Sequence, residues 1–239
     1  MRKTVYLIIV AAICVSCGQF QDRLSMKSHK DRVSWGNPTV QFSTDRKSEG
    51  IHYNAPAFEA CVKCEDGKTV HMPVDKYALG YGGSCPMGEA GFYKPSSLAQ
   101  AEILSQTQDK LVLHLSYEPW TIYGETIILD KQVTISLDSP VLSVIDYYTG
   151  TFKMLNIAAG MTTSGNGTVQ DTDKGYTIQY PTGITSMIIM PDADELTVDE
   201  TFKTVLLKKA VTNDEPVRYY IGLSDKGMDY LLDELAKFL

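Results

Sequence analysis

Long apolar runs are scarce in this 239-residue chain. The one continuous stretch, residues 5–15, is too short to cross roughly 30 Å of hydrocarbon, so the sequence predicts no membrane-spanning helix. Basic clusters are missing too. Lys and Arg total 22 against 29 acids, a net charge of −7, which excludes nucleic acid as a natural partner because phosphate backbones are repelled. No G-x-S-x-G elbow, H-E-x-x-H pair or nucleotide-binding glycine loop occurs, so those hydrolase, zinc and phosphate chemistries have no foothold. Gly80-Tyr81-Gly82-Gly83 is glycine-rich but lacks the Lys and following helix of a phosphate cradle. Histidine is limited to four copies, which bounds the acid–base candidates. What remains is ordinary: 44% hydrophobic and 21% charged residues, enough for one core and unlike a disordered tail, a collagen or a coiled coil.

The first residues read as an address. Arg2 and Lys3 precede the apolar run, which ends in Ser16-Cys17-Gly18. This resembles the lipobox of bacterial lipoproteins, with residues 1–16 as signal peptide and Cys17 as the lipidated first residue. Cys14 departs from the usual Leu three positions before the lipidated cysteine. Residues 17–32 are polar, lack apolar periodicity and read as a tether. The expected location is the outer membrane, on its periplasmic or cell-surface side, held by the lipid.

Residues 33–239 read as one domain dominated by a period of two, with turn signals at short intervals. Residues 111–117 and 132–138 alternate cleanly, and further strands are expected at 39–43, 101–105, 141–148, 153–159, 177–180, 184–190, 201–211 and 217–223. An antiparallel all-β architecture follows, closed by one helix in which Met228, Leu231, Leu232, Leu235 and Phe238 form a stripe and Ser224 or Asp225 caps. The hairpin near Gly124 sets which residues share a face. A three-residue loop places His114 opposite Thr134 and Ser116 opposite Gln132. A two-residue loop sets polar against apolar positions unless a bulge near Pro119 restores the phase. Either arrangement leaves His114, Ser116, Gln132, Thr134 and Ser136 on one wettable face.

Three cysteines remain in the domain. Cys61 and Cys64 have C-x-x-C spacing; bridging them needs a local turn, and a bridge from either to Cys85 needs the chain to fold back. A zinc site would have to use Cys61, Cys64, Cys85 and His71, without the second paired motif such sites carry. No metal or cofactor is assigned.

The ordered segments Ser34-Trp35-Gly36-Asn37, Leu79-Gly80-Tyr81-Gly82-Gly83, Leu115-Ser116-Tyr117, Gly124-Glu125 and Ile135-Ser136-Leu137-Asp138 together resemble the bacterial family called domain of unknown function 4861, over nearly all of residues 33–239. The resemblance implies an antiparallel β-supersandwich similar to the galactose-mutarotase group, with a cleft on a concave face. It also implies a setting among exported proteins that degrade acidic plant or algal polysaccharides. Longer members carry a Tyr-His-x-Asp-His-Gly-Glu-Gly-like segment before the Leu-Gly-x-Gly-Gly stretch. Residues 67–75 keep only His71 and Asp75 of it, which favours binding over full catalysis.

Oligosaccharide or polysaccharide is therefore the expected partner, beside the membrane reached through the lipid. Trp35, Tyr81, Trp120 and Tyr123 fall near predicted loops and could stack on sugar C–H faces, with Gln132 bonding hydroxyls. The catalytic candidates for an epimerase, lyase or hydrolase are His71 or His114 paired with Glu125 or Asp75. His29 and His52 carry no such role.

Overall fold

A computed structural model describes residues 20–47, 57–73, 79–89, 91–95 and 97–239. Cys17 and the expected export signal lie outside the described residues, as do His52 and Asp75. The described chain forms three antiparallel sheets and one helix, the expected all-β sandwich. None of its helices is long and apolar enough to cross a membrane.

The first sheet runs in order β1 (Ser25–Ser28), β2 (Arg32–Gly36), β3 (Val40–Asp45), β4 (Glu59–Lys63) and β5 (Thr69–His71). β1 corrects the expected tether. Met26 pairs with Trp35 and packs on the core, and Leu24 is buried, so order begins before Val33. Ser25-Met26-Lys27-Ser28 offers a single apolar side chain, too little for a period to be visible.

The largest sheet has nine strands. Its order is β14 (Thr168–Thr172), β15 (Gly175–Gln179), β16 (Thr185–Ile189), β19 (Pro216–Ser224), β12 (Val141–Gly150), β11 (Glu125–Ser136), β9 (Lys110–Tyr117) and β8 (Leu98–Gln106), with β10 (Trp120–Ile122) on β11. The third sheet runs β17 (Glu195–Asp199), β18 (Thr204–Thr212), β13 (Met154–Thr162), β6 (Tyr81–Gly88) and β7 (Gly91–Phe92). A bridge between Phe58 and Gly80 links the two smaller sheets, and one continuous core draws on all three. At the end of the large sheet, β8 carries two register breaks, and Ile103 and Leu104 are exposed at the second.

The β10–β11 turn has two residues, Tyr123 and Gly124, both at positive φ (50° and 86°), as the mirror-image hairpin turns require. Ile122 therefore faces Glu125. The break at Glu118 and Pro119 adds a residue to that side and restores the phase, so Gln132 faces His114 and Asp130 faces Ser116. The expected pairings of His114 with Thr134 and Ser116 with Gln132 are thus corrected by two residues. Because the slip is even, the faces are unchanged.

The inner face is not uniformly apolar. Lys131 and Asp146, directly paired across β11 and β12, are wholly buried, with Nζ 2.5 Å from Oδ1. Lys131 also donates to Tyr219 Oη (2.7 Å) and Ser84 Oγ (3.2 Å). Ser84, from the opposing sheet, donates to Asp146 Oδ2 and lies 2.8 Å from Tyr148 Oη. Tyr219 Oη is within reach of Asp146 Oδ2 and of the Gly82 carbonyl. Gly82 adopts φ 103°, and a Cβ there would stand 1.9 Å from Ile221 Cδ1, so only glycine brings that carbonyl in. Desolvation lowers the pKa of Lys131 while Asp146 opposes it, and burial raises those of Tyr148 and Tyr219, which stay protonated.

Lys131→Met should strand a buried carboxylate and destabilise the protein by about 3–5 kcal/mol in urea unfolding. The double substitution Lys131→Met with Asp146→Leu should recover most of that loss.

Candidate functional site

Strict alternation along β9, β11, β12 and β19 sends every second side chain outward. The register then aligns them in rows. Glu102, His114, Gln132, Ile145 and Arg218 form one row across five strands. Val112, Thr134, Ser143 and Tyr220 form the next. Gln132, Ile145 and Arg218 of the first row and Thr134, Ser143 and Tyr220 of the second floor a cleft of about 590 Å³.

Helix α1 (Met228–Leu235) builds one wall. Leu231 and Leu235 pack on Val141, Met187, Ile189 and Tyr220 of the same outer face. Gly222 permits the approach, since a Cβ there would lie 2.9 Å from Leu231 Cδ2. The residue before the helix is Gly227, and no side chain caps it. Ser224 Oγ instead accepts from Lys226 N, and Asp225 accepts from Glu65 N, which corrects the expected cap. Beyond the helix, Lys237 and Phe238 reach the cleft, Lys237 donating to Glu234 Oε1 at 2.5 Å. Arg218 is exposed on the floor, its guanidinium with no hydrogen bond or ion pair to another described residue.

His114 stands between two carboxylates. Nδ1 is 3.2 Å from Glu102 Oε1 and Nε2 is 2.9 Å from Asp130 Oδ1, joining β8, β9 and β11. An imidazole and carboxylates therefore converge, with different partners from those expected. Glu125 is exposed at the hairpin, where it accepts from Thr151 Oγ1. His71 is exposed on β5, paired with Cys61 of β4 in the first sheet, whereas His114 and Glu125 belong to the largest sheet.

The aromatic expectations divide. Trp35 is 1% exposed, its ring 4.9 Å edge-on from Phe58 and stacked on Phe42. Tyr81 is fully buried and donates to the Pro73 carbonyl at 2.7 Å. Both belong to the core because alternation on β2 and β6 turns them inward, so neither can wall a sugar site. Trp120 is half-buried and donates to the Tyr93 carbonyl. Tyr123 is 80% exposed, its ring 5.4 Å edge-on from Tyr93 with the hydroxyls hydrogen-bonded. Of the expected site residues, Gln132 alone lines the cleft. Sequence reasoning missed Ser143, Ile145, Arg218 and the residues of α1; their signal is the register, which only pairing partners reveal.

None of the three domain cysteines is in a disulfide. Cys61 and Cys85 are buried and Cys64 is half-buried; no cluster of three metal-ligating side chains occurs among the described residues. Burial pushes the Cys85 thiol up to about 12, and burial with Asp225 nearby raises Cys64.

The family model described as domain of unknown function (DUF4861) matches residues 77–230. The chain belongs to this family. The match takes in the cleft floor and the first three residues of α1, while the first sheet and the Glu234, Lys237 and Phe238 end lie outside it. No curated protein matches the DUF4861 chain in sequence. Among solved structures, it is similar to the heparan sulfate lyase HepC from Pedobacter heparinus, at 14% identity and TM-score 0.50, over 84% of this chain and 36% of that one. A putative kojibiose phosphorylase from human microbiome aligns at 8% identity and TM-score 0.47, over 90% of this chain and 35% of that one. The DUF4861 chain thus spans about a third of either structure, and the lyase comparison shows a shared fold.

Alkylation of the native protein at pH 8, read by mass spectrometry, should modify Cys64 slowly and leave Cys61 and Cys85 untouched until urea unfolds the chain.

Proposed function

We propose that this protein binds saccharide chains in the cleft beside α1, as a lipid-anchored envelope component of acidic polysaccharide utilisation. The observation that carries the reading is the floor of that cleft. It combines an amide (Gln132), hydroxyls (Thr134, Ser136, Ser143) and a guanidinium (Arg218) with apolar Ile145 and Phe238. Ligand sites for sugars need this mix, apolar surface for C–H faces and a few convergent polar groups for hydroxyls. Family membership and the fold shared with a structure titled heparan sulfate lyase support the same class of ligand. The anchor rests on Ser16-Cys17-Gly18 after the apolar run.

A second reading, a carbohydrate-active enzyme acting as epimerase, lyase or hydrolase, draws on His114 with Asp130 and Glu102. General acid–base work needs a ring nitrogen within reach of the substrate. Here both nitrogens face carboxylates, and His114 is a neighbour of the cleft floor rather than part of its lining. Binding is the better supported reading.

A glycan array should register binding of acidic oligosaccharides without turnover. Gln132→Ala should lower affinity about tenfold, the size of a lost hydrogen bond to a well-fitted ligand. His114→Ala should weaken binding by less, with an unchanged thermal midpoint for both variants. Unaltered affinity in both would remove the cleft from the function, and turnover abolished by His114→Ala would favour the enzyme. Separately, Cys17→Ala should move the protein from the membrane to the soluble fraction and end its labelling by palmitate.

A further inference from the structure

Two polar groups at the cleft have unused hydrogen-bonding capacity, and they are of opposite kind. Glu234, on the last turn of α1, is buried, and its Oε1 accepts from Lys237. Its Oε2 is also buried and has no hydrogen bond. Five described side chains have a buried polar atom without a partner, and Glu234 alone among them is a carboxylate. A buried acceptor left unmade costs the full desolvation of the group, most of all when the group is charged. Arg218 on the floor of the same cleft has five N–H donors and no partner among the described residues.

We infer that these two residues grip one ligand, Glu234 accepting from a hydroxyl while Arg218 holds an anionic group of the same saccharide. This pairing rests on the saccharide reading above and adds the class of sugar that the cleft selects. Asp109 and Asp138 also line the cleft, both exposed. A ligand charged on every side would meet those carboxylates, whereas a sugar unit with one carboxylate or sulfate among hydroxyls matches the set. Arg is suited to the anion because its planar fork pairs two oxygens at once. Glu234 brings the C-terminal helix into the binding site as a recognition element.

Calorimetry on the full protein tests this with three probes, namely a galacturonate tetrasaccharide, a sulfated galactose tetrasaccharide and uncharged galactotetraose. The wild type should bind at least one charged probe about tenfold more tightly than the neutral one, the scale of a charge-assisted pair. Arg218→Met should abolish that preference, bringing the affinity of the charged probes down to that of the neutral one. Glu234→Gln, which preserves size, should weaken all three by about tenfold while the thermal midpoint holds. Equal affinity for charged and neutral probes, or a preference that survives Arg218→Met, overturns the role of Arg218 while saccharide binding stands. Wild-type affinity in Glu234→Gln overturns the role of Glu234. Binding of no probe by the wild type fails the saccharide reading itself, and the pairing of Glu234 with Arg218 falls with it.

Discussion

The buried pair of Lys131 and Asp146 constrains the rest of the molecule. The two side chains face each other on adjacent central strands, and their hydrogen bonds reach Ser84 on the opposing sheet. Slipping β11 by one residue would carry the ammonium outward and leave the carboxylate alone in the core, at a cost of several kcal/mol. The pair therefore fixes both the strand register and the seating of one sheet on another. The outer face inherits that precision, since the row through His114, Gln132, Ile145 and Arg218 exists only in this register.

Much of the fold was legible because alternation survives in short strands. Residues 111–117 and 132–136 sort into wet and dry sides as their pattern requires. Lys131 and Asp146 were not legible. A charged residue on an inward position looks like noise until its partner is known, and the two are fifteen positions apart along the chain. The hairpin length was ambiguous for a related reason. A compact turn preceded by an extra residue at Pro119 preserves the same faces as a longer turn, so periodicity alone cannot distinguish them. Nearness to predicted loops marks the aromatic candidates, yet strand parity decides exposure, and it turns Trp35 and Tyr81 inward.

The candidate site shows the same division. Gln132 was readable because it lies on the polar side of a long strand. Arg218, Ser143 and the end of α1 come from distant parts of the sequence and meet only through sheet order and helix docking. The histidine with the best position is held by two acids, an arrangement that ties β8, β9 and β11 together beside the floor. The picture is a β platform with one short helical wall, over which the proposed saccharide recognition is spread among side chains of modest individual strength.

The irregular strand at the end of the large sheet has its own consequence. A straight nine-residue edge with apolar side chains would be a template for another molecule's backbone, and sheets so exposed grow into aggregates. The two breaks in β8 interrupt the even spacing of its outward amides, and Glu102 adds a charge beside them. Protection from runaway polymerisation is thus written into the backbone of that strand, independent of what occupies the cleft.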